Sequence, residues 1–342
     1  MLTARQMLIL QVIIDDFIKS AQPVGSRTIS KKDNVSYSPA TIRNVMADLE
    51  EMGYIEKTHS SSGRVPSEKG YRYYVDHLIP FPTKDDKINM IEDIIKEGYF
   101  EFEQIVQKSA EILSDITNYT SFILGPAMFE TRVKQLQIVT LSPTTAVVIL
   151  VTNTGYVENR TFSIPDKINA SDLEKVVNIL NDRLYDVPLE KIPEKLNSEV
   201  KDLMKTYVRD FREIYKYLRA AFFSEQPVKL YISGKANILM QPEFNDIEKI
   251  RSFYMMIENE EKIAELLKDA SDGIKVTIGN ENKLDAIKDF SLITTSYQLG
   301  EEQVGAIGLL GPTRMEYKKV ITLLHAVSNE MSDMLHFWFK NN

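Results

Sequence analysis

Cysteine is absent from the sequence, which excludes disulfides, thiolate metal sites and a cysteine nucleophile, and fits a reducing compartment such as the cytoplasm. Long hydrophobic runs are absent too. The longest, AVVILV at Ala146–Val151, is far short of the roughly 18 to 20 apolar residues that span a bilayer, so no membrane partner is expected. The apolar start MLILQVIIDDFI is broken by Asp15 and Asp16 and lacks a small-residue cleavage site, so it does not read as a signal peptide. The four histidines, His59, His77, His325 and His336, show no metal-ligand spacing, and neither GxSxG nor HExxH occurs. In ISGK at Ile232–Lys235 a phosphate loop lacks its earlier glycine and its Ser/Thr ligand, and the series Gly305, Gly308, Gly311 has the wrong spacing for a dinucleotide fingerprint. No metal, no cofactor and no enzymatic activity are expected.

What is present is an ordinary globular composition, 43% hydrophobic and 26% charged, in 342 residues. A chain of that length exceeds what one core usually serves, so two or three domains are expected. The formal net charge of −8 is unevenly spread: residues 1–79 hold 10 Lys and Arg against 9 Asp and Glu, and the remainder 31 against 40. Proteins that approach polyanions localise their cations in this way. Within the amino-terminal part, HSSSGRVPSEKGYRYY at His59–Tyr74 gathers Arg64, Lys69 and Arg72 against the single acid Glu68.

Thr3 and Gln6 stand at capping-box spacing before Met7, Leu10, Ile14, Phe17 and Ile18, whose intervals of three and four predict a helix over about 3–20. PVGS at Pro23–Ser26 is a turn whose serine is placed to cap a short second helix near 27–32. Ser38-Pro39 is an N-cap followed by proline at the first helical position, opening a third helix that runs to about Met52 and is ended by Gly53. YIEKTH, SSSG and RVP then read as strand, turn and returning strand. Three helices and a small hairpin make a winged helix-turn-helix pattern. Beyond it, a helical stretch at about 85–119 precedes strands near 133–139, 146–151 and 156–164. Helices follow at 171–183, 195–223, 246–258 and 260–268, with KLYISG as a strand among them. Short strands return at 274–278, 292–297 and 304–310, and a long helix runs from Thr313 to Phe339. Strands, then mostly helices, then strands indicate one α/β sheet domain interrupted by an insertion, with boundaries near 165 and 272.

A recognition helix needs an apolar inner face and, in its first turns, side chains that reach base edges. Ile42, Val45, Met46, Leu49 and Met52 supply the first, and Thr41, Arg43 and Asn44 the second. Arginine bonds guanine O6 and N7 with two hydrogens, and asparagine does likewise for adenine N6 and N7. The serine-rich wing, His59, Ser60, Ser61, Ser62 and Arg64, with Lys69 and Arg72, offers hydroxyls, N–H groups and cations to phosphates. The same pattern also serves winged helices that dock proteins. Gly311, Thr313 and Arg314 open the final helix, where they form an anion site, an interdomain site or a structural cap.

The stretches QPVGSRTI (Gln22–Ile29), SPATIRNVMADLEEMGYI (Ser38–Ile55), HSSSGRVPSEKGYRYYVD (His59–Asp76) and GLLGPTRMEYKKVI (Gly308–Ile321) resemble, in order, the HrcA heat-inducible transcription repressors of bacteria. The resemblance implies an α+β multidomain chain with no enzymatic role. Its parts would be an N-terminal winged helix-turn-helix DNA-binding domain (1–80), a discontinuous GAF-like α/β sheet domain (85–165 and 273–342) and an inserted helix-rich dimerisation domain (166–272). It further implies a homodimer bound to double-stranded DNA at the inverted-repeat CIRCE operator, repressing chaperone operons and kept active by the GroE chaperonin. On this reading Ser38, Thr41, Arg43 and Asn44 face bases, and the wing residues face the backbone. Tyr207, Phe211, Ile214 and Leu218 form a candidate dimer stripe, which reads equally as the core of its own domain. The alternative function is small-molecule sensing by the GAF-like domain.

Overall fold

The computed structural model of the chain describes residues 2–58, 63–80, 102–125, 132–153, 157–164, 170–208, 211–223, 229–244, 246–268, 270, 273–300 and 302–341. The amino-terminal domain opens with α1 (Ala4–Ser20), closed at its start by the expected capping box of Thr3 and Gln6. Next come α2 (Ser26–Ile29), α3 (Pro39–Glu51), the antiparallel hairpin β1 (Ile55–Lys57) and β2 (Arg64–Pro66), and α4 (Glu68–His77). The short helix departs from expectation. Gly25 is its N-cap, Ser26 is its first helical residue, and it ends at Ile29 rather than Lys32. Val24 and Arg64 exchange both backbone hydrogen bonds at 2.9 Å, so the α1–α2 turn adds a one-residue third strand at the loop end of the hairpin. Gly63 permits this approach, because a Cβ there would lie 2.7 Å from Pro23 Cβ.

Helix α5 (Phe102–Thr117) leads into β3 (Thr120–Leu124), and the predicted helical residues before 102 lie outside the described residues. Strands β4 (Val133–Ser142), β5 (Thr145–Thr152) and β6 (Val157–Ser163) follow, then α6 (Ala170–Leu184) and α7 (Ile192–Lys195). A π-turn (Leu196–Val200) joins α7 to α8 (Lys201–Tyr207), before α9 (Phe211–Phe223) and β7 (Leu230–Ser233). The remainder is α10 (Ile247–Ile257), α11 (Glu260–Lys268), β8 (Lys275–Ile278), β9 (Phe290–Leu299), β10 (Glu302–Pro312) and α12 (Tyr317–Asn341).

The strands form two larger antiparallel sheets that correct the expected domain limits. One has the order β7-β3-β10-β9-β8, and the other is the meander β4-β5-β6. The three strands at 133–163 therefore do not belong to the central sheet. They pair with one another and bury Leu136, Val148, Leu150 and Phe162 against Val176 and Leu180 of α6 and Leu218 of α9. The inserted unit thus occupies about 132–223. Strand β7 and helices α10 and α11, expected inside the insertion, return to the central sheet. Period-two alternation on β10 makes that sheet two-sided. Ile307 and Leu309 face α5 and α12, whereas Ala306 and Leu310 face Phe253 and Met256 of α10 and Leu267 of α11. The result is a three-layer sandwich of helix, sheet and helix.

Residues of α1, α3, α4, α5, β9, β10 and α12 belong to one continuous apolar cluster, so the winged-helix domain is docked on the sheet domain. The final helix starts later than expected. Gly311 and Pro312 are still paired with β9, and α12 begins only at Tyr317. Gly311, Thr313 and Arg314 therefore precede the helix instead of opening it.

Candidate nucleic-acid interface

Helix α3 is placed by its inner face and its ends. Ile42, Val45, Met46 and Leu49 are buried against α1 and α2. Ser38 Oγ accepts the N–H of Thr41 at 3.2 Å and shares a 2.9 Å hydrogen bond with its hydroxyl. Both hydroxyls thus serve the helix start, where a Ser cap contributes about 1 kcal/mol. At the other end Lys69 Nζ donates to Met52 O at 2.7 Å and lies 4.7 Å from the Tyr54 ring centre. A cation there also complements the helix dipole. Ser67 Oγ donates to Gly53 O at 2.7 Å. Gly70 lets α4 approach, since a Cβ there would collide with the Tyr54 carbonyl.

The side chains of Arg43 and Asn44 are exposed and make no hydrogen bond or ion pair among the described residues. They project from the same outward face as Ala40 and Ala47, which are also exposed. This face has one bidentate donor, one amide able to donate and accept, and two small apolar groups of the kind that pack on thymine methyls.

The other expected cations are differently placed. Arg64 bonds Glu50 of α3, Nε to Oε2 at 2.8 Å and the ion pair at 2.7 Å, so it ties the start of β2 to α3. Arg72 is turned away from the hairpin. Its guanidinium donates to Glu281, Asp76 and the Val276 carbonyl, which raises its pKa chiefly through the Glu281 bond. Its expected place beside the wing is corrected to the seam between domains, because the sheet domain supplies a half-buried carbonyl and a carboxylate within reach. Burial pushes the Glu281 carboxyl up, but Arg72 and the Ile278 N–H together hold it below the usual range. His59, Ser60, Ser61 and Ser62 lie outside the described residues.

Three exposed cations escaped the sequence argument: Arg27 and Lys31 around α2, and Lys57 on β1. None has an ion-pair partner among the described residues. In a helix-turn-helix the helix before the recognition helix crosses the phosphate backbone. That geometric rule was the available signal, and the shortness of α2 hid it.

The anion site expected at Gly311, Thr313 and Arg314 is already satisfied by protein groups. Arg314 is paired with Glu243, donates to Gln241 Oε1 at 3.2 Å and reaches Ile18 O of α1 at 3.3 Å. Gly311 packs against the Tyr119 ring, and Thr313 O accepts from the Tyr317 hydroxyl at 2.6 Å. The arginine is an interdomain bridge. The dimer stripe is also corrected in part. Ile214 and Leu218 are 1% and 0% exposed within their own unit, Phe211 is half-buried, and Tyr207 is 61% exposed. Two members of the stripe are therefore core.

Among the described residues no group of three or more His, Asp or Glu is arranged to hold a metal, and no helix is long and apolar enough to cross a membrane. Two cavities against the central sheet, one at Phe122 and Leu292 and one at Tyr119 and Phe290, have volumes of only about 10 Å³, room for about one water.

Residues 1–75 match the family model described as the winged helix-turn-helix transcription repressor, HrcA DNA-binding, and residues 103–321 match that of the HrcA protein C terminal domain. The chain belongs to the HrcA family. Similar proteins include the heat-inducible transcription repressor HrcA of Oceanobacillus iheyensis, 60% identical over 342 residues and all of both chains. That of Bacillus pumilus is 51% identical over 337 residues, 98% of each. A solved structure described as a hypothetical protein at 2.2 Å resolution shares the fold, with a TM-score of 0.67 and 21% identity over 99% of this chain and all of that one. HrcA proteins are transcription repressors with a winged-helix DNA-binding domain, not enzymes.

Proposed function

We propose that the chain represses heat-inducible chaperone operons in the cytoplasm as a homodimer that places α3 of each copy in the major groove of an inverted-repeat operator of the CIRCE type. The observation that carries this reading is the exposed pair Arg43 and Asn44, without a partner among the described residues, at the start of a helix capped at both ends. Arg27, Lys31 and Lys57 supply the phosphate contacts, joined by the wing tip at His59, Ser60, Ser61 and Ser62. One copy offers one reading helix, so two half-sites require a twofold dimer.

The dimer surface we favour is the open face of the β4-β5-β6 sheet in the inserted unit. Val139, Leu141 and Val157 are exposed there, with Tyr207 on a neighbouring helix. On this reading the central sheet domain is the GAF-like element and acts as a spacer; the two cavities against its sheet are too small for a metabolite, while a wider cleft of about 660 Å³ lies where α1 and α4 meet α5 and α12. The GroE chaperonin maintains the active form, as the family resemblance implies. Footprinting of the purified protein across chaperone promoters, with and without chaperonin, tests the proposal. Protection of an inverted repeat, strengthened by chaperonin, is the expected result. Protection of no promoter under either condition contradicts it.

A further inference from the structure

We infer that the seam between the winged-helix domain and the sheet domain sets which half-site spacing the protein accepts, with Glu281, Asn280 and Tyr71 as its specificity-determining residues. The inference rests on the DNA-reading assignment above and concerns groups remote from the reading face.

The mechanical path is short. Helix α3 is fastened to α4 through Lys69 on Met52 O and Ser67 on Gly53 O. Helix α4 is fastened to the sheet domain by two further links. Arg72 bonds Glu281 and the Val276 carbonyl, and the Asn280 amide donates to both oxygens of Glu68 at 3.1 and 3.2 Å. On the far side of the domain, Arg314 holds the last turn of α1 through Ile18 O. Every link joins two folded elements, so the tilt of α3 relative to the sheet domain is fixed. In a twofold dimer held by the carboxy-terminal part, that tilt decides the separation and rotation of the two reading helices. One added base pair turns a half-site by about 34° and moves it about 3.4 Å, a mismatch that a stiff seam resists.

An opposing group sits in the same seam. Tyr71 packs against Tyr317 with ring centres 5.8 Å apart, and its hydroxyl is buried without a hydrogen-bond partner among the described residues. An unpaired buried hydroxyl disfavours the docked arrangement. Replacing it by hydrogen should stiffen the seam, and removing the Glu281 and Asn280 links should loosen it. The two changes have opposite signs.

The test is fluorescence anisotropy of the full-length protein on inverted repeats whose spacers are lengthened or shortened one base pair at a time, beside a duplex with a single half-site. The wild type is expected to lose about tenfold or more in affinity per base pair of spacing error. The Glu281→Ala/Asn280→Ala variant should lose only about threefold or less, with half-site affinity unchanged. Tyr71→Phe should give a steeper spacing profile than the wild type and a higher Tm. Unchanged profiles in both variants, while the wild type binds its inverted repeat, overturn the seam and leave DNA reading standing. A parallel loss on the single half-site also overturns it, because the residues then belong to the reading machinery. Failure of the wild type to bind any duplex overturns both readings. Thermal melts check folding, and if the double variant does not fold, Tyr71→Phe alone decides.

Discussion

Arg43 and Arg64 carry the same charge, yet their surroundings give them different work. Arg43 is exposed, whereas Arg64 is held by Glu50. We therefore expect Arg64→Ala to cost about 1 to 3 kcal/mol of stability and to leave the salt dependence of DNA binding nearly unchanged. Arg27→Ala and Lys31→Ala should each flatten the slope of log Kd against log salt by about one phosphate contact while leaving the Tm in place. A salt titration on one operator separates these outcomes. Residue type and spacing made the outward placement of Arg43 and Asn44 legible from the sequence, because helical periodicity puts them opposite the apolar face. The partners of Arg64, Lys69 and Arg72 were not legible. Their acceptors are Glu50, a backbone carbonyl at Met52 and Glu281, and only folding brings those groups near. A run of cations in sequence thus gave a wing, while the structure divides those three among a helix brace, a helix end and a domain seam.

Elements with strong local chemistry were read closely. The capping box at Thr3 and the Ser38-Pro39 start both fall where the sequence places them. Ser38→Ala should cost about 1 kcal/mol in urea unfolding, and it should weaken operator binding further because α3 frays at its reading end. Gly70→Ala should cost about 1 to 3 kcal/mol through overpacking against the Tyr54 carbonyl, measured in the same way. Where local chemistry was ambiguous, the reading failed. Gly311 and Pro312 look like a helix start, but their backbones complete the pairing of β10 with β9, which postpones α12 to Tyr317. Serine at position 26 looks like a cap, yet Gly25 occupies the cap and Ser26 enters the helix.

At the scale of the whole molecule, the order of a winged helix, a sheet and an interrupting unit was legible, and the limits of the interruption were not. Strands 133–163 carry the same alternation whichever sheet they join. What assigns them is pairing across the chain: β3 lies between β10 and β7, and β7 comes from beyond the insertion. The docked winged helix carries a pH signature. Glu281 has a depressed pKa when folded, so the Arg72 pair contributes stability above the unfolded value near about 4.3, and that contribution is lost as pH falls through the folded pKa. The Tm difference between wild type and Glu281→Gln should therefore be present at neutral pH and shrink below about pH 4. A constant difference across that range would remove the pair from the account. The central claim, that α3 reads bases, is tested most directly by the relative affinity of Arg43→Ala for operator and scrambled duplexes. The account predicts a loss of about 1 to 3 kcal/mol on the operator with relaxed preference at one position of each half-site. An unchanged ratio between operator and scrambled DNA would contradict it.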